Sequence, residues 1–146
     1  PPVTMAGITS ITSSSFLSEP NLNLYHTPER TVDGSLSTAW VEGLDGHGIG
    51  EFILFEFDRA YLVSGIRINA GYQKSAELYT MNNRPAALTV TFSDGTEQTV
   101  ALQDVNSLQE IPFLLPVETD SIRLSIASVY PGTTYMDTVI SEISFY

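Results

Sequence analysis

The stretch Ala87–Leu102 reads ALTVTFSDGTEQTVAL. Leu88, Val90 and Phe92 alternate with Thr89, Thr91 and Ser93, a period of two that puts every apolar side chain on one face of a strand and every polar one on the other. Ser93-Asp94-Gly95-Thr96 then separates this run from a second, and the Asp-Gly pair supplies the positive backbone φ angles that a tight hairpin needs. The stretch therefore predicts two antiparallel strands. The same alternation recurs downstream, where Ile122, Leu124 and Ile126 interleave with Arg123, Ser125 and Ala127. Gly65–Asn69 and the terminal Val139–Tyr146 behave alike. Phe52–Phe57 (FILFEF) is apolar at both parities, as expected of a strand buried on both faces near the centre of a sheet. Thr9–Ser15 suits an edge strand.

No window of a dozen residues repeats apolar side chains at helical spacing, and Pro20, Pro28, Pro85, Pro112, Pro116 and Pro131 interrupt most candidates. A short turn of helix fits only near Asn21–Arg30 or Ser75–Thr80. Many short strands, turn signals between them and almost no helix predict an all-β sandwich or jelly roll. The 146 residues, 42% of them hydrophobic and 16% charged, suffice for one domain, with residues 1–7 as an N-terminal linker and 8–146 as the sandwich. The chain opens on Pro1 without a signal segment, which suggests a piece of a longer protein.

Charge and composition exclude several functions. Six basic against 17 acidic residues give a formal net charge of −11, which repels nucleic-acid phosphates and anionic lipid headgroups, and no apolar run is long enough for a membrane span. The absence of cysteine removes disulfides, thiolate metal sites and cysteine nucleophiles together. His26 and His47 lie outside HxH, HxxxH and HExxH spacing, no serine sits in a GxSxG elbow, and Glu42, Glu51, Glu56, Asp45 and Asp137 offer carboxylates without a spacing rule. GHGIG (46–50) lacks the lysine and following helix of a phosphate cradle. A catalytic reading is short of parts.

The order Thr31-Val32-Asp33-Gly34, Thr38-Ala39-Trp40, Gly50-Glu51 before an apolar strand, and Ile140-Ser141-Glu142-Ile143 at the end resembles the discoidin, or coagulation-factor type C, group of galactose-binding-like sandwiches. Trp40–Gly43, Gly48–Glu51, Ala70–Lys74, Asn82–Pro85, Phe92–Gly95 and Ser128–Gly132 resemble, more narrowly, the glycan-binding domain found beside bacterial NAD-glycohydrolase toxins and in bacterial surface proteins. The cysteine pair that ties the termini of many animal members is missing. The resemblance implies an eight-stranded jelly roll with a binding role, often with one structural calcium ion. Its ligands here would be Asp33, Thr38, Glu142 and backbone carbonyls near Arg30 and Ser35; the alternative is an Asx-type turn at Asp33 with Glu142 solvated. Trp40 has two readings, a core plug whose N–H is satisfied locally or an exposed sugar platform.

If that topology holds, the loops around Glu42, Tyr72–Arg84 and Tyr130–Asp137 converge at one end of the sandwich. The implied function is a non-catalytic, monomeric glycan-binding module of a secreted or surface-anchored bacterial protein. Tyr72, Tyr79 or Tyr135 would stack on a sugar ring, and Glu42, Lys74, Asn82, Arg84 and Asp137 would bond its hydroxyls. The competing reading of Asn83-Arg84-Pro85 is that it only pins its own loop with backbone hydrogen bonds. A protein-adhesion module on the same scaffold is the alternative function, since a fold alone does not decide one.

Overall fold

The structure is a computed structural model that describes residues 7–146; the linker expected over residues 1–7 falls, apart from Gly7, outside the described residues. The strands are β1 (Ile8–Ser13), β2 (Ser18–Glu19), β3 (Leu24–Tyr25), β4 (Trp40–Val41), β5 (Phe52–Ala70), β6 (Arg84–Phe92), β7 (Glu97–Ala101), β8 (Leu108–Tyr130) and β9 (Val139–Phe145). One helix, α1 (Ala76–Met81), and two 3-10 turns, Pro20–Leu22 and Pro28–Val32, complete the described elements. All three overlap the two stretches in which the sequence allows a helical turn. Ser75 caps α1 by accepting the Leu78 N–H at 3.1 Å.

β5 and β8 are too long for one sheet face, and each bends from one layer of the sandwich into the other. Phe52–Glu56 pairs with Ser121–Ser125 and Gly65–Asn69 with Leu108–Pro112, with breaks in register at Glu56/Tyr61 and Val63/Gly65. The first half of β5 carries β1 on its other side, while the second half carries β9, which pairs in turn with β4. β6 joins the second half of β8, and β7 joins β6. Two layers result, β1–β5–β8–β6–β7 and β8–β5–β9–β4. Counting the halves of β5 and β8 separately and setting aside the short β4 and the β2–β3 ribbon gives the expected eight-stranded jelly roll. Gly65 sits at the second break, where a Cβ would overlap the Ile111 carbonyl oxygen and the Tyr146 ring, so the crossing of β5 over β8 needs a residue without a side chain.

The alternating residues fill the space between the layers. Ile53, Phe55, Ile66, Ile68, Leu88, Val90, Ile122, Leu124 and Ile126 are all buried in one cluster, and Phe55 of one layer meets Phe145 of the other edge-to-face at 5.1 Å. Trp40 lies in the same cluster, fully buried, and its indole N–H donates to the Ser15 carbonyl at 3.0 Å. The core-plug reading of Trp40 is therefore the correct one.

Two expectations need adjustment. Phe52–Phe57 is central, between β1 and β8, but only Ile53, Phe55 and Phe57 are buried; Phe52 and Leu54 are half-exposed on the outer face, where the Arg123 guanidinium covers the Phe52 ring at 5.2 Å. The β6–β7 turn is also wider than a two-residue hairpin. The Phe92 N–H bonds the Thr96 carbonyl and the Gly95 N–H bonds the Phe92 carbonyl, so only Gly95 needs a positive φ, +85°. Asp94 instead accepts the Thr96 N–H at 2.9 Å.

Nothing lies within 4 Å of a Cβ placed on Gly95, so Gly95→Ala meets only the cost of a left-handed backbone, about 1–2 kcal/mol. The midpoint of urea unfolding should fall by that equivalent with an unchanged slope.

Candidate functional site

The loops at one end of the sandwich are held from beneath by buried polar side chains. Glu42 is fully buried and accepts the N–H groups of Leu44 at 2.9 Å and Thr138 at 3.1 Å. Burial pushes its carboxyl above the usual range, against the opposing pull of those two bonds. Asn83, also fully buried, donates to His47 Nδ1 and to the Met136 carbonyl, both at 2.7 Å, and its Oδ1 accepts the Gly132 N–H at 2.8 Å. Two inner side chains thus fix three loops.

Arg84 anchors a fourth. Its Nε and Nη2 form a fork on the Asp104 carboxylate at 3.0 and 2.8 Å, and its Nη1 reaches the carbonyls of Asn82, Tyr79 and Pro131 at 3.1, 3.4 and 3.4 Å. The Tyr79 hydroxyl donates to Asp104 at 2.8 Å, and its ring lies 5.0 Å from the guanidinium. Burial and the Asp104 carboxylate together drive the Tyr79 hydroxyl well above its ordinary pKa. The Arg84 guanidinium, as the main cause, holds Asp104 below the ordinary carboxylate value. Glu42, Tyr79 and Arg84, sugar contacts in the sequence reading, thus turn inward in the structure. All three are buried with their polar atoms bonded inside the protein, and Arg84 and Asn83 make the bonds to loop backbone that the loop-pinning alternative expects.

Above this framework lies a pocket of about 240 Å³, lined by Leu17, Glu19, His26, Tyr72, Leu78, Asn82, Tyr135 and Asp137 among others. It gathers four of the expected residues, Tyr72, Asn82, Tyr135 and Asp137, and adds Glu19 and His26. The β2–β3 ribbon, with Ser18 opposite Tyr25 and Glu19 opposite Leu24, supplies Glu19 and leads directly into His26, and the buried His26 bonds Glu19 through Nε2 at 2.9 Å. Asn82 spends its Nδ2 on the Leu78 carbonyl at 3.0 Å. The Asp137 carboxylate, Asn82 Oδ1 and the Tyr72 and Tyr135 hydroxyls have no protein partner among the described residues. Burial, then Glu19 and Asp45, raise the Asp137 carboxyl from its ordinary value. Lys74 lines a smaller neighbouring pocket of about 80 Å³ with Arg30, Thr38, His26 and Tyr72.

The residues expected to hold an ion also meet. The Ser35 N–H donates to Asp33 Oδ1 and to Glu142 Oε1, each at 3.0 Å, and the Thr38 hydroxyl bonds the other Asp33 oxygen. The bond from Ser35 to Asp33 makes the Asx turn, but Glu142 is half-buried against Asp33 rather than solvated. Burial first, and Asp33 second, push the Glu142 carboxyl up to about 7. No group of three or more Asp, Glu, His or Cys side chains is placed to hold a metal ion among the described residues, so any ion here would take its remaining donors from hydroxyl and carbonyl oxygens.

Arg84→Ala leaves Asp104, among the described residues, with only the Tyr79 hydroxyl and removes the guanidinium donor from the carbonyls of Tyr79, Asn82 and Pro131. Removing one partner of a buried pair costs 3–5 kcal/mol; because the Asp104 side chain is 39% exposed, about 2–3 kcal/mol is expected after solvent screening, read as a lower melting temperature. Asp104 has a folded pKa below its unfolded one, so its contribution is complete above about pH 4 and is lost as pH falls through the folded value. Acid titration of Asp104→Asn should show a shallower loss of stability over that window.

The family model for the NAD glycohydrolase translocation F5/8 type C domain matches residues 4–146. No curated protein matches in sequence. Among solved structures, the chain is similar to a family 32 carbohydrate-binding module of AlyQ in complex with 4,5-unsaturated mannuronic acid, at 19% identity over 95% of both chains with a TM-score of 0.65. It is also similar to the family 32 module of C. perfringens NanJ in complex with galactose, at 16% identity over 93% of this chain and 91% of that one, TM-score 0.66. A pectin-binding module gives 16% identity over 97% and 91%, TM-score 0.67. At these identities the likeness establishes the discoidin-type jelly roll. The family match spans nearly the whole chain, which therefore belongs to the NAD glycohydrolase translocation F5/8 type C domain family.

Proposed function

We propose that the chain is a non-catalytic glycan-binding module of a larger bacterial protein that acts outside the cell or at its surface, and that the larger pocket holds one sugar unit. The observation that carries this reading is the pocket itself. Two tyrosines, Tyr72 and Tyr135, stand beside the Asp137 carboxylate and the Asn82 amide oxygen, an aromatic face next to polar atoms with no other partner, which is the combination a sugar ring needs. At about 240 Å³ the pocket is below the roughly 300–1,000 Å³ of drug-sized sites, a size suited to a single ring. Lys74, in the adjoining pocket across Tyr72, would meet a second unit. The sugar-bound domains of the same fold support the reading. No helix among the described residues is long and apolar enough to cross a membrane.

The Asp33–Glu142 pair fits a structural calcium ion. Two carboxylates share one site, Asp33 held, against its burial, below its ordinary value by its Thr38 and Ser35 bonds and Glu142 raised by burial and by Asp33, and Thr38 adds a hydroxyl. Calcium takes six to eight oxygens, which backbone carbonyls near Arg30 and Ser35 would complete. Such an ion would neutralise the pair and tie the Thr31–Thr38 turn to β9. A protein-adhesion module is the second reading, favoured by the exposed Leu22, Leu24, Tyr25, Tyr135 and Met136 around the same pocket.

On a glycan array, Tyr135→Ala should lose retention of whatever the native domain binds with a melting temperature within a degree or two, and Tyr72→Ala should lose it as well, at a lower melting temperature because its half-buried ring packs against Ala39, Val41 and Val139. Retention by both variants would place the site elsewhere, and an array that retains nothing would leave the adhesion reading standing. Calcium at about 100 times its dissociation constant should stabilise the native state by about 2.7 kcal/mol over chelator, a response that Asp33→Asn should abolish. Equal melting temperatures in calcium and chelator would remove the ion from the account.

A further inference from the structure

Among the described residues, the larger pocket is lined by two carboxylates and by no unpaired cationic side chain. Glu19 and Asp137 both line it as carboxylates. Asn82 has committed its Nδ2 to the Leu78 carbonyl, leaving the amide oxygen, and the one lining group able to carry positive charge, His26, is already bonded to Glu19. The cations of the chain are elsewhere. Arg67 and Arg84 are paired with Glu110 and Asp104, Arg59 and Arg123 cover aromatic rings, and Arg30 and Lys74 line the smaller neighbouring pocket. Beyond the Tyr72 and Tyr135 hydroxyls, which can donate or accept, a guest in the larger pocket is thus met by acceptor oxygens and negative charge.

Sugar hydroxyls can donate to such a surface, and an ammonium group donates with charge assistance, whereas a carboxylate or sulfate brings only acceptors. On these grounds we propose that the pocket selects by charge, admitting neutral and amino sugars and rejecting acidic ones, with Asp137 as the selecting residue and Glu19 as its auxiliary. The inference rests on the glycan-binding reading above and adds the ligand class to it. The repulsion is already present between the two carboxylates, since Glu19 helps to raise the Asp137 carboxyl. A third anion in the same half-buried space meets both at once, and the net charge of −11 acts in the same direction from farther away. Two of the similar solved modules carry names that include an acidic sugar or pectin. The selection inferred here runs the other way on the same scaffold.

The test is amide NMR titration of the whole domain with methyl glycosides matched except at C6: galactose with galacturonate, glucose with glucuronate, mannose with mannuronate, and glucosamine and galactosamine beside them. At least one neutral or amino sugar should shift the Tyr72, Asn82 and Asp137 amides, with its uronate binding about tenfold more weakly, or more weakly still, a tenfold gap corresponding to ~1.4 kcal/mol. The gap should narrow in Asp137→Asn, to a smaller degree in Glu19→Gln, and in high salt, where the Debye length shrinks to about 3 Å at 1 M. A uronate that binds as tightly as its neutral partner overturns the inference and leaves glycan binding intact. A gap unchanged in both variants overturns the assignment to these carboxylates. Binding by no sugar of either class overturns the glycan reading and this inference with it.

Discussion

Arg84 reaches Asp104 with a two-point fork and turns its remaining nitrogen toward the carbonyls of the α1–β6 loop and of Pro131. A buried guanidinium must be satisfied or it destabilises the fold, and here the partners that satisfy it are the backbones of the segments around the pocket. Asn83 and Glu42 obey the same constraint, one holding the Gly132 and Met136 backbones, the other those of Leu44 and Thr138. These loops have little regular secondary structure of their own. Their shape follows from where three buried polar side chains find partners, so the framework and the pocket are not separable.

The fold was legible because its signals are local. Leu88, Val90 and Phe92 show their period within seven residues, and Asp94-Gly95 marks its turn on the spot. The bends in β5 and β8 were less legible: Gly65 is needed because Ile111 lies 46 positions on in sequence and passes directly over it. The aromatic and polar residues of the loops marked the site in part, and Tyr72, Asn82, Tyr135 and Asp137 do share one pocket. Tyr79, Arg84 and Glu42 carry the same chemistry and point inward. Their partners are Asp104, in a segment with no motif, and backbone amides, which no sequence pattern distinguishes from any others. Glu19 and His26 stayed unseen because they are joined by a ribbon of two-residue strands, too short to leave a period.

The same end of the molecule divides its charges. Glu19 and Asp137 face the larger pocket, Arg30 and Lys74 the smaller, and Tyr72 and His26 line both. In a chain with so few cations, four are held by an ion pair or an aromatic face, which leaves these two as the basic groups at this end. Arg30 also lies close enough to Asp33 to help lower its pKa, after the Thr38 and Ser35 bonds. A ligand spanning both would meet opposite electrostatics on the two sides of one tyrosine ring.

On the proposed reading, affinity is limited by the size of the site. One ring in about 240 Å³ offers a stacking contact and two or three hydrogen bonds worth about 0.5–1.5 kcal/mol each, or up to about 3 where a carboxylate takes part. After the cost of ordering the sugar, a dissociation constant in the millimolar to micromolar range remains, about −4 to −8 kcal/mol. The rigidity of the framework works in its favour, since loops already fixed by Glu42, Asn83 and Arg84 lose little further freedom on binding. Beyond that, tighter attachment has to come from numbers. Repeated binding on a polysaccharide, or several modules in one protein, raises avidity without any new contact, and a weak, preformed, single-ring pocket is the kind of site for which that gain is largest.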